Sequence, residues 1–323
     1  MTKLSRLKAP INQELITFES YFRDTMKSRV PLLDRITYYI VKRKGKQLRP
    51  MFVLYCARLC GSIDETTYIA ASMVELLHTA TLVHDDVVDD AMTRRGFFSI
   101  NALWKNKAAV LVGDYLLSKG LLIALESEQH RLLSVMSKAV REMSEGELLQ
   151  MEKSRSLDID ESTYFDIIQK KTASLISASC EAGAASTTTD ENLITEIAAF
   201  GLKIGMAFQM KDDLFDYGEN HVGKPVGNDI KEKKMTLPLI HTLEHMSSSE
   251  RRKMLKRIRR HHDDQKKMKV IIQMVRNGPG MDYTRQKMID YKNEAIQHLN
   301  QFADNDVYEK VVELVDYVIE RKK

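Results

Sequence analysis

Two runs of aspartate hold the densest chemistry in this 323-residue chain, Asp85-Asp86-Val87-Val88-Asp89 and Asp212-Asp213-Leu214-Phe215-Asp216. Both have the form D-D-x-x-D and both end a long apolar stretch. On a helix, residues i and i+4 lie one above the other, so Asp85 with Asp89, and Asp212 with Asp216, each aim two carboxylates at one point while the i+1 aspartate points aside. Crowded carboxylates raise one another's pKa unless a cation neutralises them. Magnesium, held by one or two carboxylates together with substrate phosphates, answers that need, and two such clusters suit a diphosphate clamped between them. A single cluster is as readily a solvated helix end. The duplication, and the cost of aspartate near the negative end of a helix dipole, favour a metal site.

The chain also carries cations that match an anionic substrate. Lys44-Gly45-Lys46-Gln47-Leu48-Arg49-Pro50 places Lys46 and Arg49 three residues apart just after a glycine, and Arg94-Arg95-Gly96 follows the first acidic cluster. Arginine's planar fork binds phosphate oxygens bidentately and lysine adds a point charge, so a site for two diphosphates would use several of each.

The elements that must position these groups read as helices. Apolar residues recur at helical spacing, as in Met73, Leu76, Leu77, Ala80, Val83 and Val87, and no convincing alternating strand appears. Breaks near Pro31, Gly45, Gly61, Arg95-Gly96, Leu157-Asp160, Thr187-Asp190, Gly218-Gly227, Ser247-Ser249 and Gly278-Gly280 divide the chain into about ten or more helices, and none is long enough for a domain linker. The expectation is an all-α fold in one domain spanning 1–323. The glycine-rich Gly218-Gly227 segment after the second acidic cluster reads as a functional loop. A net charge of +4 from 49 basic and 45 acidic side chains does not call for nucleic acid. Cys56, Cys60 and Cys180 have no zinc-ligand spacing and read as free thiols in a reducing, cytoplasmic setting. The basic N-terminus lacks an apolar signal core, and no later segment reads as a membrane span.

With these motifs in hand, nearly the whole chain resembles the trans-isoprenyl diphosphate synthases. The likeness is carried by Leu76-Leu77-His78-Thr79-Ala80-Thr81-Leu82-Val83-His84-Asp85-Asp86-Val87-Val88-Asp89-Asp90 with Arg94-Arg95-Gly96, and by Phe208-Gln209-Met210-Lys211-Asp212-Asp213-Leu214-Phe215-Asp216. It continues in Gly113-Asp114, Lys171-Thr172, Gly223-Lys224-Pro225-Val226-Gly227-Asn228-Asp229-Ile230 and Lys234-Met235-Thr236-Leu237-Pro238. The resemblance implies a helical bundle around a central apolar cavity. It implies that Asp85, Asp86, Asp89, Asp212, Asp213 and Asp216 hold three magnesium ions on an allylic diphosphate, which Arg94, Lys171, Lys224 and Lys234 also contact. Isopentenyl diphosphate would be bound by Lys46, Arg49, His78 and Arg95, and Thr172 and Gln209 would line the carbocation. A homodimer is implied as well. Three positions depart from the family pattern: Lys44-Gly45 where a glycine pair is usual, Phe98 for the usual proline, and Glu232-Lys233-Lys234 for Glu-Gly-Lys, which leaves the contacting lysine open.

In this reading the allylic C–O bond ionises in a water-poor site, the isopentenyl double bond attacks, and a proton leaves to the departing diphosphate. Product length is set by the apolar channel beneath the first cluster. Ala80 and Thr81 are small where short-chain members carry aromatics, so a long product is expected, with a floor around Leu117, Leu121 and Leu125. A short-chain synthase, a terpene cyclase and a partner subunit of a heteromeric synthase are the rival readings; the Lys46, Arg49 and Arg95 set, the second aspartate motif and the intact motifs count against the last two. The stretch Arg251-Arg252-Lys253-Met254-Leu255-Lys256-Arg257-Ile258-Arg259-Arg260-His261-His262 reads first as a solvated helix face; if it has a partner, an anionic membrane suits it better than nucleic acid.

Overall fold

A computed structural model describes residues 2–43, 45–94, 96–218, 227–261 and 264–320. Among them the chain is almost wholly helical, with sixteen α-helices and one two-residue antiparallel hairpin, Thr93–Arg94 with Phe97–Phe98. The hairpin was not expected from the sequence, because two residues per strand are too few to show alternation. The helix boundaries follow local chemistry. Pro31 opens Pro31–Lys42 at its first turn, Asp64 and Thr67 form a reciprocal capping box at the start of Glu65–Val88, and Ser99 caps Ile100–Glu126.

The described residues pack as two compact units, Met1–Val140 with Ala178–Ala198 and Phe302–Val311, and Arg141–Ser177 with Ala199–Gln301 and Val312–Lys323. In the first, Glu65–Val88 and Ile100–Glu126 run against each other around a core that includes Met73, Leu76, Leu77, Ala80, Val112 and Leu116. Two glycines fix their register. A Cβ on Gly113 would lie 2.2 Å from His84 Nε2, and one on Gly120 would lie 3.5 Å from Leu76 and Leu77. The later position on one helix meets the earlier position on the other, so the helices are antiparallel and Ala80 is level with Leu117, with Leu121 one turn deeper. Among core side chains such as these, full burial of a leucine or phenylalanine is worth about 1.5–3 kcal/mol.

In the second unit, Leu237–Glu244 packs against Glu161–Ile168, Gln265–Asn277 and Gly280–His298. Ser248–His261 lies beside Gln265–Asn277, burying Met254 and Ile258 while Arg251, Arg252, Lys253, Lys256, Arg257, Arg259 and Arg260 are exposed. His262 falls outside the described residues. Two helices, Ile100–Glu126 and Glu191–Asp216, are by length and composition apolar enough to cross a membrane, which corrects the expectation that no segment is. In Glu191–Asp216 half of the most apolar window is buried within the fold, whereas in Ile100–Glu126 only 39% is. The exposed remainder of the latter includes Leu103, Val110, Leu111, Leu122 and Leu125.

Candidate active site

The first aspartate motif closes Glu65–Val88. Asp85 is half-buried on the last turn, Asp86 is buried, and Asp89 is the exposed C-cap, after which Asp90 at φ 47° turns the chain toward the hairpin. The i+1 aspartate is tied into the fold: Arg94 Nε donates to Asp86 Oδ1 at 2.6 Å, and Asn101 Nδ2 donates to the Asp86 carbonyl at 3.0 Å. Burial raises the Asp86 pKa above the ordinary carboxylate value despite Arg94. Arg95 lies outside the described residues.

Beside this motif, Arg49 Nη1 donates to His78 Nε2 at 3.0 Å. Arginine can only donate, so His78 accepts at Nε2 and its ring proton sits on Nδ1. Gln47, left-handed at φ 60° just before Leu48–Cys60, is held by Lys8 and Glu19, and Lys46 is half-buried next to it. A cavity of about 650 Å³ is lined by His78, Asp86 and Arg94 together with apolar Phe18, Phe22 and Met26. Arg43 lines it too, its guanidinium 3.4 Å from the Tyr39 ring centroid and 4.4 Å from that of Phe97. The sequence reading passed over Arg43, although the adjoining Lys42-Arg43-Lys44 run was a signal. Of the chain-length positions, Ala80 is fully buried, Thr81 Oγ1 donates to the His78 carbonyl at 2.9 Å, and Leu117 packs on the core.

The second motif closes Glu191–Asp216. Here again the i+1 residue, Asp213, is the buried one: Tyr164 donates to its Oδ2 at 2.6 Å and Gln209 Nε2 to its Oδ1 at 2.8 Å. Burial and the Asp229 charge push Asp213 up to about 8. Asp216 is pushed up to about 7 by the same two causes, although the backbone amides of Asn228 and Asp229 donate to its two oxygens. Asp212 is half-buried on the same last turn. Raised pKa values on clustered oxygen donors are what a hard divalent cation relieves, so the donor set fits magnesium.

Lys171 and Thr172 lie on a π-helical turn, Gln169–Ala173, where the Ser174 amide donates to the Gln169 carbonyl five residues back. Neighbouring helices come very close to this turn. A Cβ on Gly146 would lie 2.7 Å from the Lys171 amide nitrogen, and one on Gly205 would lie 2.4 Å from Ala173 Cα. Held there, Thr172 donates to Gln209 Oε1 at 2.8 Å, and Gln209 in turn donates to Asp213, so hydroxyl, amide and carboxylate form one chain. Lys171 pairs with Glu147 and donates to Gln150 Oε1 at 3.3 Å. Lys234 pairs with Glu232. Arg276 donates to the carbonyls of Tyr217 and Gly218, each at 2.5 Å, tethering the chain just past the motif. Lys224 and most of the glycine-rich segment fall outside the described residues.

Clustered carboxylates at two helix ends, with lysines and arginines near them, make a donor set that suits divalent metal and diphosphate. Residues 30–275 match the family model described as polyprenyl synthetase. Octaprenyl diphosphate synthase from Escherichia coli (strain K12) is 32% identical over 100% of this chain and 99% of its own length. The polyprenyl synthase from Caulobacter crescentus, solved in complex with calcium and isoprenyl diphosphate, is 32% identical with a TM-score of 0.92, covering 99% of this chain and 98% of that one. The geranylgeranyl pyrophosphate synthase from Bacteroides thetaiotaomicron is 34% identical with a TM-score of 0.85, covering 99% and 100%. The chain therefore belongs to the polyprenyl synthetase family of trans-prenyltransferases.

Proposed function

We propose that this chain is a long-chain polyprenyl diphosphate synthase acting in the cytoplasm as one functional domain and as a homodimer. It condenses isopentenyl diphosphate with an allylic diphosphate. The observation that carries the reading is the hydrogen-bonded chain Thr172, Gln209, Asp213 and Tyr164 beside Lys171. It supports a surface on which a carbocation can be lined by oxygen dipoles and a diphosphate held by cations. Asp85, Asp86, Asp89, Asp212, Asp213 and Asp216 are the residues that would hold magnesium, three ions in all. When bound, magnesium supplies positive charge to the diphosphate oxygens as the leaving group departs.

The remaining work falls to the chain's own groups. Arg94, Lys171, Lys224 and Lys234 bind the allylic diphosphate. Lys46, Arg49, His78 and Arg95 orient isopentenyl diphosphate, His78 through the ring orientation that Arg49 fixes. The allylic C–O bond breaks with its electron pair leaving on diphosphate, the isopentenyl double bond forms the new C–C bond, and a proton passes to the departing diphosphate. No side-chain base is required. Each added isoprene unit buries five carbons, about 4 kcal/mol at roughly 0.8 per methylene, so growth continues until sterics stop it. Small Ala80 opposite Leu117 supports a channel open to long chains, with the floor at Leu121 or deeper. The exposed leucines of Ile100–Glu126 support burial against a second copy of the chain.

The test is incubation of the purified protein with magnesium, labelled isopentenyl diphosphate and geranyl, farnesyl or geranylgeranyl diphosphate, with products resolved by length. We expect products beyond four isoprene units, shortened by Ala80→Phe. A stop at four, the product in the name of the Bacteroides relative, would reject the long-chain reading, and turnover only with a second protein would reject the self-sufficient enzyme.

A further inference from the structure

Away from both aspartate motifs, the second unit brings together Glu161, His241 and Glu244, whose ligand-type atoms all lie within 4.8 Å of one another. His241 and Glu244 are three residues apart on Leu237–Glu244 and so share a face; Glu161 opens the neighbouring Glu161–Ile168 helix. The imidazole is locked in place. Its ring stacks on Tyr283 with centroids 3.7 Å apart and planes 2° from parallel, and Tyr283 donates from its hydroxyl to Glu161 Oε1 at 2.6 Å. A tyrosine thus fixes both the histidine and one carboxylate, as outer-shell partners do at metal centres.

Two features leave room for a ligand. His241 Nδ1 is shielded from solvent and has no hydrogen-bond partner among the described residues. The two carboxylates lie within 4.8 Å of each other, yet neither forms an ion pair with a lysine or arginine among the described residues; Lys287 lies 5.5 Å over the Tyr283 ring. One imidazole with two carboxylates is a ligand set for a borderline metal, whereas magnesium takes oxygen alone.

We propose that Glu161, His241 and Glu244 form a second metal site, selective for zinc over magnesium, with water in the fourth position. Tetrahedral zinc with bonds near 2.0–2.2 Å needs ligand atoms about 3.4 Å apart, so side-chain adjustment from the present spacing of up to 4.8 Å would accompany binding. The ion would join the start of Glu161–Ile168 to the end of Leu237–Glu244, the helix that begins three residues after Lys234. The inference stands apart from the proposed catalytic reading, because it is tested by binding and not by turnover.

The experiment is calorimetric titration of the chelator-stripped full chain with zinc in excess magnesium, alongside thermal melting. We expect one zinc per chain and a raised Tm in the wild type. The doubly substituted Asp85→Asn/Asp212→Asn protein should bind zinc equally well. Affinity should fall at least roughly tenfold in Glu244→Gln and in His241→Phe, which keeps the ring stack on Tyr283. Zinc binding unchanged by both ligand substitutions, or lost with the aspartate substitutions, overturns the proposal. Absence of zinc uptake by the wild type overturns it as well.

Discussion

In both D-D-x-x-D motifs the second aspartate is the one drawn inward, and each has partners that hold it there: Arg94 for Asp86, Tyr164 and Gln209 for Asp213. The flanking aspartates are left at or near the surface, so one acid of each motif anchors the helix end that presents the others. Gln209 is the hinge of the second arrangement, because its amide serves Thr172 and Asp213 at once. Gln209→Leu removes both bonds and leaves a buried carboxylate short of a donor, which costs about 1–3 kcal/mol. A lowered Tm together with a fall in kcat for allylic substrate is expected; an unchanged kcat would show that the chain from Thr172 to Asp213 does not reach the reaction. The aspartates were legible in the sequence because the spacing repeats and helical geometry gives it meaning. Tyr164 and Glu147 were not, since a lone tyrosine 49 residues from its acid, or a glutamate facing a lysine across two helices, leaves no local pattern.

Among the elements, helix ends were readable wherever proline, glycine or a capping residue marks them, as at Pro31, Gly61 and Asp160. The π turn at Gln169–Ala173 was invisible, because its hydrogen-bond pattern answers to the helices that pack on it and not to its own side chains. Gly146 and Gly205 let those helices approach. Gly205→Ala would set a methyl group 2.4 Å from Ala173 Cα, against backbone that cannot swing aside. The expected cost is about 1–3 kcal/mol of overpacking. Displacement of Thr172 should also raise KM for the allylic substrate, measured in steady state beside Tm. A variant with unaltered Tm and KM would show that the turn tolerates a wider gap.

For the molecule as a whole, the sequence supported helices throughout and a single functional domain, and periodicity carries no trace of the two units into which the described residues pack. Segments distant in the chain make up each unit, as when Arg58 reaches Asp306 and Lys292 reaches Asp316, and no linker composition announces such a division. The apolar face of Ile100–Glu126 was hidden for a related reason: a leucine in an amphipathic pattern reads the same whether it meets the core or another subunit. Leu111, 68% exposed, is the most open of that row. If the proposed dimer closes over this row, Leu111→Glu is expected to shift the protein from dimer to monomer in sedimentation velocity while its helical circular dichroism is kept; a wild type that sediments as a monomer, or a variant that sediments as the wild type does, would overturn a subunit contact at this row.

The π turn also acts as a phase shifter. A chain that closes one turn with i→i+5 bonding carries one residue more than uninterrupted α-helix would, so the elements on its two sides are offset by about 100° from the alignment an unbroken helix would impose. Glu161–Ile168, with Tyr164, and Ser174–Ala185, with its alanine-rich buried face, are thereby each free to turn their own apolar sides inward. Loss of a single residue anywhere from Gln169 to Ala173 would bring the two into step and turn one of those faces outward.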